Sequence, residues 1–144
     1  MSDREYQARP IVGIGIVVLR GDEVLICRRG KPPNVGSWTL PGGAQDIGET
    51  CKDAARRELQ EETGLLVADL HFCDYVDTVR RDGDGRVRFH YTILDFCAAY
   101  AGGEAVAGSD VSEVRWVPID ELGPYALWTE AHRIIGIARG ILNP

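Results

Sequence analysis

Apolar residues in this chain fall mostly into short runs separated by turn residues, a pattern of strands more than of long helices. Ile11 to Leu19 is rich in Ile and Val and predicts a strand. Arg20-Gly21-Asp22 turns the chain, and Glu23 to Arg29 returns as a second strand. Lys31-Pro32-Pro33-Asn34 reads as a loop, and Ser37 to Leu40 as a short strand. Leu66 to Arg80 contains another strand. Asp82-Gly83-Asp84-Gly85 is a hairpin turn, answered over Arg86 to Ala98 by alternation at Val87, Phe89, Tyr91 and Ile93. Val111 to Val117 is a further strand, with a short turn or helix over Pro118 to Leu122. Near the end the period changes: Ile134, Ile135, Ile137, Ala138 and Ile141 place an amphipathic helix over Trp128 to Ile141.

A second helix is predicted over residues 50–63, on different grounds. Thr50 suits the N-cap, and Asp53 stands three residues on as a weaker capping-box acid. Gly64 suits the left-handed residue that ends a helix. The stretch between is rich in Ala, Arg, Glu, Leu and Gln, all good helix formers. Its apolar face is thin: Cys51, Ala54 and Ala55 are small, and Leu59 is the one bulky apolar residue. An ordinary packing helix shows a wider stripe. Strands on both sides of this helix, and a second helix closing the chain, predict an α/β fold with a mixed β-sheet between helical layers.

Chemistry enters with the acids of that helix. Glu58, Glu61 and Glu62 stand at i, i+3 and i+4 and share one face. Most charge runs are only solvated surface. Carboxylates at this density repel one another unless a cation sits among them, and Mg²⁺ takes oxygen ligands while bridging carboxylates to substrate phosphates. Arg57 is rotated away from Glu58 and can reach back to Glu49 to hold a ligand in place. In the preceding Leu40-Pro41-Gly42-Gly43 loop, glycine lets backbone approach a ligand, so Gly42 is counted with the metal site.

The spacing is specific. Gly43, Glu49, Arg57, Glu58, Glu61, Glu62 and Gly64 are seven fixed types at fixed intervals. Chance gives such a set on the order of once in 10⁹ windows at ordinary residue frequencies. The segment GAQDIGETCKDAARRELQEETGL resembles the Nudix box with every defining position filled, Asp46 standing where many members carry glutamate. Trp38-Thr39-Leu40-Pro41-Gly42-Gly43 and Trp116-Val117-Pro118 also resemble that family, so the likeness runs over roughly residues 11–140. The resemblance implies a Nudix-type α/β/α sandwich and hydrolysis of a nucleoside diphosphate derivative with Mg²⁺ or Mn²⁺. It also implies metal-binding roles for Glu58, Glu61 and Glu62 with Glu49 assisting, and it is compatible with a homodimer. The family often draws a further acid from the Gly102–Ser109 region. Asp110 is the first choice, with Glu104 and Glu113 nearby. Glu58, Glu61 and Asp110 are the candidates for taking the proton from the attacking water.

Substrate features are sparser. Lys31 to Trp38, His90-Tyr91 to Phe96, and Gly102-Gly103-Glu104 to Trp116 resemble the ADP-ribose pyrophosphatase-like branch, which implies AMP and a sugar phosphate as products. Some ADP-ribose hydrolases carry a proline after the box, and residues 66–117 contain none. Hydrolysis of (oxidised) nucleoside triphosphates is the alternative. A nucleotide-sensing regulator on the same fold is a third reading, against which stands the full set of box acids. Arg28 and Arg29 could clamp a phosphate, alternation turning one of them outward. Trp38 could stack on a base or pack in the core, and His90 could bond substrate. Tyr75 and Trp128 read as packing residues.

Composition agrees with a small enzyme. At 144 residues the chain is long enough for one domain, 1–144, with a real core. A net charge of −6 argues against a general nucleic-acid or membrane-surface binder and leaves a small nucleotide as substrate. There is no apolar run of 18 residues and no signal-like N-terminus, and four scattered cysteines predict reduced thiols in a cytoplasmic protein.

Overall fold

The computed structural model describes residues 4–108 and 110–143; Ser109, at the end of the predicted loop, and residues 1–3 and 144 of the predicted domain lie outside them. Strand β1 (Ile11–Arg20) turns at Gly21 into β2 (Glu23–Arg29); β3 (Trp38–Thr39) and β4 (Gly42–Ala44) lead into helix α1 (Cys51–Thr63). Then come β5 (Leu66–Val67), the long hairpin of β6 (His71–Arg81) and β7 (Val87–Gly102), and β8 (Val111–Pro118). Two 3₁₀ turns at Ile119–Glu121 and Gly123–Tyr125 precede helix α2 (Thr129–Leu142).

The sheet is mixed. β1 runs parallel to β7 from Ile11↔Tyr91 to Leu19↔Ala99, and the other pairings are antiparallel. Side chains alternate across it, so β1 feeds two cores. Val17 and Leu19 join Val24, Ile26, Ile134, Ile135 and Ala138 beneath α2. Ile14, Ile16 and Val18 join Leu25, Phe96, Ala54, Ala55 and Leu59 beneath α1. A layer of helix on each face gives the expected α/β/α sandwich.

One departure from regularity positions the site. β1 and β2 pair only at Leu19↔Val24 and Arg20↔Glu23. Farther down they part: β4 takes the edge of β1 at Gly13 to Gly15, and β3 takes the edge of β2 at Cys27 and Arg28. The sheet is therefore split by a wedge between β4 and β2. β4 was missing from the sequence reading because Gly-Gly-Ala shows no side-chain alternation.

Two further expectations need correction. Tyr75 is 55% exposed and Trp128 48% exposed, so neither is a core residue. Tyr75 lies on β6, which pairs only with β7, on the face whose helix covers β1 and β4 instead. Trp128 precedes the first turn of α2, where its carbonyl accepts the Ala131 N–H.

Candidate active site

Helix α1 begins and ends as its sequence dictates. Thr50 Oγ1 accepts the Asp53 N–H at 3.1 Å, and Gly64 ends the helix in the left-handed region at φ 71°. The last carbonyls are capped from outside the helix. Val106 N–H donates to Thr63 O (3.0 Å) and Gly108 N–H to Glu62 O (2.9 Å). A Cβ on Gly108 would collide with Glu61 O, so only glycine lets this loop lie against the helix end. The loop then delivers Asp110, whose carboxylate pairs with Lys31 at 2.7 Å and whose charge reaches Glu62.

Arg57 organises the acids. Its Nε and one terminal nitrogen donate to both Glu49 oxygens (2.6 and 2.8 Å), and the same nitrogen donates to Ala44 O (3.1 Å). Its other terminal nitrogen donates to Glu58 (2.9 Å) and Glu61 (3.3 Å). Such a bidentate guanidinium fork fixes direction as well as charge. The pairing with Arg57, helped by the Asp46 N–H, holds the Glu49 carboxyl down at about 2.

Glu58 and Glu62 lie deeper. Glu58, its side chain 13% exposed, rests against β4, and a Cβ on Gly43 would run into its carboxylate. Burial raises its pKa, against the pull of Arg57. Glu62 sits at the wedge and accepts the Gly42 N–H at 3.0 Å. Burial pushes its carboxyl up to about 7. Glu58 and Asp110 push the same way, while the Gly42 N–H and Arg29 oppose them. Glu61, 59% exposed, completes the face.

The donor set suits a hard divalent cation. It is all oxygen, and a buried acid beside two more acids is relieved by added positive charge. Among the described residues no three carboxylate, imidazole or thiolate groups close into a cage, because Arg57 lies on two of the three helix acids. An open carboxylate face is compatible with Mg²⁺, which keeps waters and shares its coordination with phosphate oxygens.

The other candidates separate by face. Arg29 shares parity with Leu25 and Cys27, lies toward α1 and influences Glu62; its Nε donates to Pro33 O (2.7 Å). Arg28 faces the other way, donating to Gly36 O at 3.1 Å and lying over Trp38. Trp38 packs against the α2-side core, with Tyr125 edge-on at 5.2 Å and Arg115 over its ring. Glu113 pairs with Arg115 on that side, and Glu104 is exposed beside Gly64. His90 shares the α1 face, in register with Val79, but is not brought to the glutamates. It lies four residues, roughly 13 Å of strand, from Leu94, which is level with Ile14 and Gly43. Sequence reasoning missed the loop that caps α1, the Lys31 pairing and the Ala44 contact. None has a local pattern, since each depends on chain segments meeting in space.

A helix presenting carboxylates beside a glycine strand, braced by one arginine, is chemically suited to oppose phosphate groups across a cation. The chain matches the NUDIX domain over residues 9–136. It is 38% identical over 122 residues to a Mycobacterium tuberculosis protein provisionally named 8-oxo-dGTP diphosphatase 2, covering 76% of this chain and 82% of that one. It is 32% identical over 113 residues to the ADP-ribose pyrophosphatase of Methanocaldococcus jannaschii, covering 78% of this chain and 64% of that one. The crystal structure of a MutT NUDIX hydrolase from Burkholderia pseudomallei superposes with a TM-score of 0.77 at 26% identity, covering 89% of this chain and 97% of that one. The NUDIX domain of Shewanella oneidensis NrtR, complexed with ADP ribose, shares the fold, with a TM-score of 0.77 at 22% identity over 95% of this chain and 91% of that one. The chain belongs to the Nudix family and is a pyrophosphohydrolase.

Proposed function

We propose that this chain cleaves the pyrophosphate bond of a nucleoside diphosphate derivative, ADP-ribose or a related sugar nucleotide, to AMP and a sugar phosphate. The observation that carries the hydrolytic part is the Glu49–Arg57–Glu58–Glu61 network set against Glu62 and the Gly42–Gly43 strand. Relatedness to the M. jannaschii ADP-ribose pyrophosphatase supports the sugar-nucleotide part.

Glu58, Glu61 and Glu62, with the Gly42 backbone, would hold Mg²⁺ or Mn²⁺, which supplies polarisation of phosphoryl oxygens and acidification of a water. Arg57 keeps Glu58 and Glu61 in place and is itself anchored by Glu49. Arg29, on the same face, is placed to oppose a phosphate that approaches Glu62. One carboxylate accepts the proton of the attacking water, and Glu58, Glu61 and Asp110 are the three candidates.

A second reading rests on the 38% identical relative: a nucleoside triphosphate, oxidised or not, cleaved to a monophosphate and pyrophosphate. Chromatography of the products decides. ADP-ribose incubated with enzyme and Mg²⁺ should give AMP and ribose 5-phosphate; pyrophosphate released from dGTP or 8-oxo-dGTP at a far higher kcat/KM would establish the second reading instead. Near-normal turnover by Glu61→Gln or Glu62→Gln enzyme of intact fold would refute the assignment of the acids.

A further inference from the structure

Among the described residues one buried side chain carries an acid that neither the fold nor the proposed hydrolysis uses. Asp95 lies on β7, in register with Gly15 of β1 on one side and Asp74 of β6 on the other, and is 6% exposed. It shares its face with Ile93 and Cys97, the side covered by α2. No hydrogen bond reaches its carboxylate; the groups that act on it, Arg133, Asp74 and Glu130, do so only through space. Its oxygens have no donor among the described residues and are not fully enclosed, so they stay open to a donor brought from outside.

Its direction points to that use. A Cβ on Gly15 would collide with Asp95 Oδ1, so the carboxylate leans over β1 and away from β6. Gly15 in turn lies beside Gly42, whose N–H holds Glu62. Gly42 and Gly15, which carry no side chains, thus line the path from the wedge to Asp95, and the Ile93 and Tyr91 side chains in front of Gly13 bound it. That path crosses two interstrand spacings, about 10 Å, comparable to the reach from the phosphate of a nucleotide to the edge of its base. Half-buried Leu40 and Tyr91 flank this face.

We infer that Asp95 is a specificity-determining residue: its carboxylate accepts a hydrogen bond from an exocyclic amino group on the purine base of the substrate whose phosphates lie at Glu62. The inference rests on the nucleotide reading above and deepens it. An ionised carboxylate only accepts, so it rewards an N–H and repels a carbonyl at the same position. Sites built around a substrate N–H reject analogues that lack it far more strongly than apolar pockets reject a missing methylene.

The test compares kcat/KM for two substrate pairs in wild-type and Asp95→Asn enzyme. ADP-ribose and IDP-ribose differ by a 6-amino against a 6-oxo group, and dGTP and dITP by the presence of a 2-amino group. The wild type should favour the amino member of the pair it cleaves by at least about tenfold, expressed mainly in KM. The carboxamide both donates and accepts, so Asp95→Asn should narrow the ratio to about twofold. Equal ratios in the two enzymes, or no preference in the wild type, overturn the inference. Should the Asn variant fail to fold, Asp95→Ser carries the same comparison. Cleavage of the triphosphate pair alone refutes the sugar-nucleotide reading while still testing Asp95; if neither pair is cleaved, the inference falls as well.

Discussion

The two helices cover opposite faces of one sheet and are built by different rules. α2 buries Ile134, Ile135 and Ala138 in a broad apolar layer. α1 buries only Ala54, Ala55, Leu59 and Thr63, and spends its remaining inward positions on Glu58 and Glu62. α2 is held by what it packs against. α1 is held by its caps, by small residues that bring it close to β1 and β4, and by Arg57. The contrast teaches that a face can trade packing for chemistry when backbone contacts at both helix ends replace the lost apolar area.

The sharpest way to break the contrast is to neutralise an acid on α1. Glu62→Gln keeps the shape and can still accept the Gly42 N–H. Turnover should fall on the order of 10²–10³-fold, while the metal-free thermal midpoint holds or rises, because a buried acid has been removed. The counterpart on α2, Ile134→Ala, should cost about 2–5 kcal/mol in urea unfolding and leave the kcat of the folded fraction nearly intact. Equal stability losses in the two variants would erase the distinction.

Glycine substitutions sharpen it further. A methyl on Gly43 meets the flexible end of Glu58, whereas a methyl on Gly42 meets the Ile14 carbonyl of the neighbouring strand. Gly43→Ala should therefore fold and lose activity by roughly 10–100-fold, the range expected when a ligand is displaced by its support. Gly42→Ala should lose stability first, read as a lowered thermal midpoint.

The smallest effect is on pH dependence. Burial raises Asp95 to about 6 in the folded state, above the ordinary carboxyl value near 3.8. Its protonated form is therefore favoured by folding. That contribution is fully present below pH 3.8 and is lost as pH rises through about 6. Asp95→Asn should gain stability relative to wild type as pH rises from about 4 to about 6, by at most about 3 kcal/mol in total. A difference between the two midpoints that stays flat over that range would remove Asp95 as the titrating group.

Much of this architecture could be read from the chain because its signals are local. Thr50 and Gly64 bracket α1, Asp82 to Gly85 turn the β6–β7 hairpin, and isoleucine spacing marks α2. The box acids are local as well, since i, i+3 and i+4 meet on one face. What stayed hidden depends on strands meeting at a distance. Alternation showed that Arg28 and Arg29 part company, but the pairing of β2 with β3 and β8 shows which of them faces α1. Asp95 did leave a trace, as a charge at an inward position within the apolar run Ile93 to Ala98, and its partner across β1 is a glycine that only the register reveals.

The loop that closes α1 has a consequence for how such a molecule can diversify. Val106 and Gly108 each occupy a fixed carbonyl at the helix end, and two residues later the chain must present Asp110. Insertions there would uncover the helix and misplace the acid together. The tip at residues 82–85 is held by its own turn bonds and, at Asp82, by the Tyr6 hydroxyl; added length at Gly83–Asp84, beyond that anchor, is tolerated far better, so new recognition elements are best grafted there.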